Sequence, residues 1–149
     1  MKRLFNIIAV CLLCTILVGC SSAKSITNKE FGEILSKEGY QINDASSQYK
    51  NNNLVEIANV ASKDHHQIEF YVSKDSSHSK KLFESDIQIF GEKNNDTIVT
   101  KDSKNAQVYS IIRNGKYIYI SRINNTLVFA YVDESEKDIV DGVIKKIGY

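Results

Sequence analysis

Proline and tryptophan are absent from the 149 residues, and the three cysteines, Cys11, Cys14 and Cys20, all fall within the first twenty. No thiol follows Cys20, which excludes a disulfide, a cysteine nucleophile and a cysteine-based metal site in the remainder of the chain. A domain built there holds together by packing alone. Only seven glycines occur, and most sit where a helix stops or a turn is needed, so there is no phosphate-cradling loop. Gly-x-Ser-x-Gly, Ser-x-x-Lys and His-Glu-x-x-His are missing as well. No pair of carboxylates stands in the apolar context that would raise a pKa for acid–base work. An excess of one charge is also lacking. With 19 basic and 18 acidic side chains the chain offers no electrostatic footprint for nucleic acid. Lys80-Lys81 and Lys145-Lys146 read as solvated helix faces. The one long apolar run, Leu4 to Val18, falls short of the ~20 residues that cross ~30 Å of hydrocarbon.

That run is nevertheless the most informative stretch. Met1-Lys2-Arg3 is basic, the apolar segment follows, and the chain turns polar at Ser21-Ser22, which is the layout of a secretory signal peptide. The segment ends in Leu17-Val18-Gly19-Cys20, which resembles the lipobox of bacterial lipoproteins. The resemblance implies a signal peptide over 1–19, cleavage between Gly19 and Cys20, and a diacylglycerol thioether on Cys20. It places the protein on the extracytoplasmic face of a cell membrane, held by lipid. No cofactor is expected beyond that covalent lipid. Abundant Asn, Lys and Ile, with no proline, fit a low-G+C genome and hence a Gram-positive source. Loss of Lys2 and Arg3 would leave 17 basic against 18 acidic side chains, a formal charge of −1.

Downstream, residues 20–26 read as a short tether and 27–149 as a single α+β domain. About 120 residues suffice for one real core but hardly for two. Thr27-Asn28-Lys29-Glu30 is a capping box, Ile26 and Phe31 form its hydrophobic staple, and Phe31, Ile34 and Leu35 make one stripe ending at Gly39. Gln41 to Asn53 reads as loop. Leu54–Ala61 and Gln67–Ser73 read as strands, the second alternating Ile68, Phe70 and Val72 with polar neighbours. A second helix runs from Ser76 or Ser77 to about Phe90 with Leu82, Phe83, Ile87 and Phe90 on one face, and Gly91 stops it. Asn94-Asn95-Asp96 is a turn before a short strand, Thr97–Lys101. Asn114-Gly115 and Asn124-Asn125 join Val108–Arg113, Lys116–Ile123 and Thr126–Val132 as hairpins. Asp133 to Glu136 then opens a last helix carrying Ile139, Val140, Val143, Ile144 and Ile147. The order is α-ββ-α-ββββ-α: an antiparallel sheet of about six strands with three helices mainly on one face, a two-layer sandwich.

Two-residue turns fix the register, so the faces can be read. Ile112 lies opposite Tyr117, Ile111 opposite Ile118 and Tyr109 opposite Ile120. In the next hairpin Arg122 faces Leu127, Ile120 faces Phe129 and Ile118 faces Tyr131. Tyr109, Ile111, Ile118, Ile120, Leu127, Phe129 and Tyr131 share the better core face. The other face carries Ser110, Ile112, Tyr117, Tyr119, Ser121, Val128 and Ala130, which makes Tyr117 and Tyr119 the candidate partner surface. Asp64, His65 and His66, with His78, form the one cluster resembling metal ligands. Adjacent strand histidines point apart, so a solvated hairpin tip is the expected outcome and no metal.

The expected function is a non-catalytic, membrane-anchored binding or interaction module. A small-ligand or metal-binding lipoprotein serving a membrane partner is the alternative, and an envelope hydrolase the third. Seven residues of tether reach at most about 25 Å, so the partner should be membrane-proximal, a protein or an envelope component. A concave pocket with convergent polar groups would favour the second reading, and a buried Ser/His or carboxylate pair the third.

Overall fold

A computed structural model describes residues 24–90, 98–102 and 105–149; for 98–102 it describes the backbone alone. The lipobox at Leu17-Val18-Gly19-Cys20, the glycine stop at Gly91 and the Asn94-Asn95-Asp96 turn lie outside these residues.

The elements are α1 (Asn28–Lys37), β1 (Gln41–Asp44), β2 (Ile57–Lys63), β3 (His66–Val72), α2 (Ser76–Phe90), β4 (Ile98–Asp102), β5 (Ala106–Arg113), β6 (Lys116–Ile123), β7 (Thr126–Asp133) and α3 (Lys137–Lys146). The strands form one antiparallel sheet in the order β1-β2-β3-β7-β6-β5-β4. The fold is α+β, as the alternation of hairpins and helices implies. The capping box is present: the Thr27 hydroxyl accepts from the Glu30 amide and the Glu30 carboxylate accepts from the Thr27 amide.

Connectivity explains the layering. After β3 the chain must reach β4, four strand spacings away at the far edge, a distance of ~19 Å. The fifteen residues of α2 span ~22 Å at 1.5 Å per residue, so α2 crosses one face, and β5, β6 and β7 then step back to pair with β3. Leu82 and Phe83 of α2 pack there with Tyr71, Tyr109, Ile111, Ile118, Ile120 and Leu127. On the opposite face, Phe31 and Leu35 of α1 and Val140, Val143 and Ile144 of α3 cover Ile68, Phe70, Tyr117, Tyr119, Val128 and Ala130.

Three expectations are thereby corrected. Helices cover both faces, so the domain has three layers rather than two. The sheet has a seventh strand: Gln41–Asp44, read as loop, pairs with Asn59–Ser62 as an edge strand. Its pattern is polar because an edge strand of four residues turns only Ile42 toward the core. Ile139 of the last helix, counted with the apolar stripe, is exposed.

The hairpin registers agree pair for pair with those read from the turns. Asn114 and Gly115 have φ of 51° and 71°, whereas in the second turn Asn124 alone has positive φ. No neighbour lies within 4 Å of a Cβ built on Gly115, so a substitution there meets backbone strain and nothing else. Gly115→Val should cost about 1–2 kcal/mol, measurable by urea unfolding. An unchanged midpoint would count against the turn.

Candidate functional site

Tyr117 and Tyr119 are not an exposed surface. Both are buried, because the face they share meets α1 and α3. Instead they line a cleft of about 360 Å³ between β5–β6 and α3, together with Val108, Ser110, Lys137, Asp141, Ile144 and Tyr149. Its position follows from the helix docking. α1 lies against β1, β2 and β3 and α3 against β7, so this face thins out toward β5.

Each wall has a simple sequence origin. Val108 and Ser110 are two apart on β5, Tyr117 and Tyr119 two apart on β6, and Ser110 pairs with Tyr119, so all four share one face. Lys137, Asp141 and Ile144 fall at i, i+4 and i+7 on α3, one helical stripe. Tyr149, beyond the helix end, turns back so that its hydroxyl bonds the Thr126 hydroxyl and its ring meets Phe70 edge-on at 6.4 Å.

A polar chain crosses the cleft. The Tyr117 hydroxyl donates to Asp141 Oδ1 at 2.6 Å. Lys137 Nζ donates to Asp141 Oδ2 at 2.5 Å and stands 5.2 Å from the centroid of the Tyr117 ring. The Tyr117 and Tyr119 rings are 6.3 Å apart, inclined at 50°. Burial, then the hydrogen bond and charge of Asp141, push the Tyr117 phenol far above its ordinary range. Burial also raises the Tyr119 and Tyr149 phenols above their ordinary value. All three phenols therefore stay protonated. The hydrogen bond to Asp141 also holds the Lys137 ammonium above its usual value.

The metal-ligand candidates do not converge. Asp64 (φ 50°) and His65 form the two-residue β2–β3 turn, exposed to solvent. His66 points away from them into the core, where its Nε2 shares a 2.6 Å hydrogen bond with the Tyr40 hydroxyl and its Nδ1 lies 3.3 Å from Glu136 Oε2. His78 sits at the start of α2, paired with Asp75 at 2.8 Å. Among the described residues no group of three or more His, Cys, Asp or Glu side chains could hold a metal ion.

One feature contradicts the sequence reading of carboxylates. On the α2 face, burial first and the neighbouring Glu69 charge second raise the Asp86 carboxyl to about 7. Glu69 in turn accepts from the Tyr71 hydroxyl and from Gln67 at 2.7 Å, and Tyr49 bonds Tyr71 at 2.8 Å. The signal was present in sequence: Asp86 stands four residues after Leu82 and four before Phe90, inside the apolar stripe. Because its folded-state pKa lies above the ~3.9 of an unfolded aspartate, Asp86 contributes stability that is complete below about pH 4. That contribution is lost as pH rises through about 7. The melting temperature should fall by several degrees across that window, and Asp86→Asn should flatten the fall. An identical pH profile in the variant would refute the assignment.

No family model matches the chain, and no curated protein matches it. Among solved structures, the fold is similar to the crystal structure of a GTP binding regulator from Thermotoga maritima. The two share 17% identity with a TM-score of 0.50, over 83% of this chain and 88% of the other. At that identity the likeness speaks for the fold alone.

Proposed function

We propose that this protein is a lipid-anchored extracytoplasmic binding module, non-catalytic, whose recognition site is the Tyr117/Tyr119 cleft. The observation that carries the reading is the cleft itself: a concavity in the size range of small-molecule sites with apolar walls and a few convergent polar groups. Three of its polar side chains satisfy one another, Tyr117 to Asp141 and Asp141 to Lys137, an arrangement that holds a shape rather than activates a nucleophile. The burial of both tyrosines moves the balance from a flat interaction surface to the small-ligand alternative. A tether of about seven residues would keep the start of the domain at Thr27 within about 25 Å of the bilayer, close enough for a membrane partner to receive the ligand.

Ser110, half-buried on the β5 wall, is the position from which to close the cleft. Native mass spectrometry of the protein released from its membranes should show a bound small molecule that Ser110→Trp no longer retains, with the melting temperature kept within a few degrees. Equal occupancy in both proteins would move the site elsewhere.

A further inference from the structure

We propose that the cleft recognises an organic ammonium group, and that the side chain of Lys137 occupies that subsite as an internal competitor. The inference rests on the cleft being the binding site. The Lys137 ammonium has Asp141 Oδ2 at 2.5 Å and the Tyr117 ring centroid at 5.2 Å. A carboxylate beside an aromatic ring is the chemistry that selects a cation on an apolar body. Tyr117 contributes twice, since its hydroxyl donates to the other oxygen of Asp141 and thereby aims the carboxylate. Tyr119, Val108 and Ile144 supply apolar surface for the carbon atoms a ligand would bring.

Lys137 is held there weakly. Its side chain and that of Asp141 each keep 37% of their surface open to solvent, and ion pairs so exposed add little to stability. Lys137 is also the first residue of α3, so its side chain can swing into water while the helix stays docked through Val140, Val143 and Ile144. When an incoming ammonium displaces it, the charge on Asp141 stays balanced and the freed lysine is solvated. An anion gains no such exchange, because Asp141 would repel it. A neutral ligand would leave Lys137 in place and find the subsite filled.

The test uses the full-length protein in maltoside micelles, with choline as probe and its uncharged isostere 3,3-dimethylbutan-1-ol as control, both followed by NMR of the tyrosine rings. Choline should shift Tyr117 and Tyr119, and the isostere should not. Lys137→Ala, or Lys137→Gln if the first turn of α3 frays, should tighten choline binding by about two- to threefold by removing a competitor held by an exposed i,i+4 ion pair. Asp141→Asn, which keeps the shape and removes the charge, should weaken it by a similar factor. Vesicles bearing phosphocholine headgroups, compared with vesicles lacking them, separate a lipid source from a free amine; binding to either carries the same ammonium chemistry. Equal binding of choline and isostere, blocked by Ser110→Trp, would overturn the ammonium proposal and leave the cleft standing. Unchanged choline affinity in Lys137→Ala would overturn the competitor role.

Discussion

Replacing Phe70 by alanine should lower the unfolding free energy by about 3–5 kcal/mol, the range for emptying a buried aromatic site. Phe70 is fully buried on β3, near the middle of the sheet. Its ring stacks on Phe31 of α1 at 4.8 Å and 15° and meets Tyr149 edge-on, so three separated parts of the chain meet on one side chain. None can close the void without leaving its own site: Phe31 is fixed by the capped helix α1, Tyr149 by its bond to Thr126. A domain of this size has roughly 5–15 kcal/mol in all, so the loss takes a large fraction of it. Urea unfolding followed by tyrosine fluorescence measures it. A cost below about 1 kcal/mol would mean that α1 does not dock as described.

Phe70 was legible in the sequence because β3 alternates cleanly, and the β5–β6–β7 registers were legible because two-residue turns leave no slack. The layer count was not. Ser110, Ile112, Tyr117 and Tyr119 read as a mixed, half-wet face, yet Tyr117 is buried with its hydroxyl satisfied by Asp141, twenty-four residues away on α3. A tyrosine whose partner comes from another element looks the same in sequence as one facing water. His66 misleads in the opposite direction. Beside Asp64 and His65 it resembles part of a polar tip, but it is the first residue of β3, and the alternation of the strand turns it inward against Tyr40. Strand β1 escaped because one inward isoleucine among polar residues carries no period. The cleft is a property of where α3 docks, which local pattern does not contain; Lys137 and Asp141 look like ordinary charged residues of a helix until that docking sets them beside Tyr117.

Cys20→Ser should abolish lipid anchoring altogether. The lipobox resemblance implies that the Cys20 thiol is the acceptor of the diacylglycerol group, and serine offers no thiol for the thioether. Each buried CH₂ contributes about 0.8 kcal/mol, and two acyl chains hold a protein on a bilayer where one does not, so lipid-borne retention should be lost outright rather than by degrees. Without the lipid, cleavage after Gly19 should also fail, and the variant should migrate as the uncleaved precursor and take up no palmitate label. Normal labelling of Cys20→Ser would sink the lipoprotein proposal. The same variant separates anchoring from recognition. Cys20 lies outside the residues that form the cleft, so a Cys20→Ser protein should bind choline as the parent does while carrying no lipid. Lost binding alongside the lost lipid would mean instead that the cleft depends on the diacylglycerol anchor.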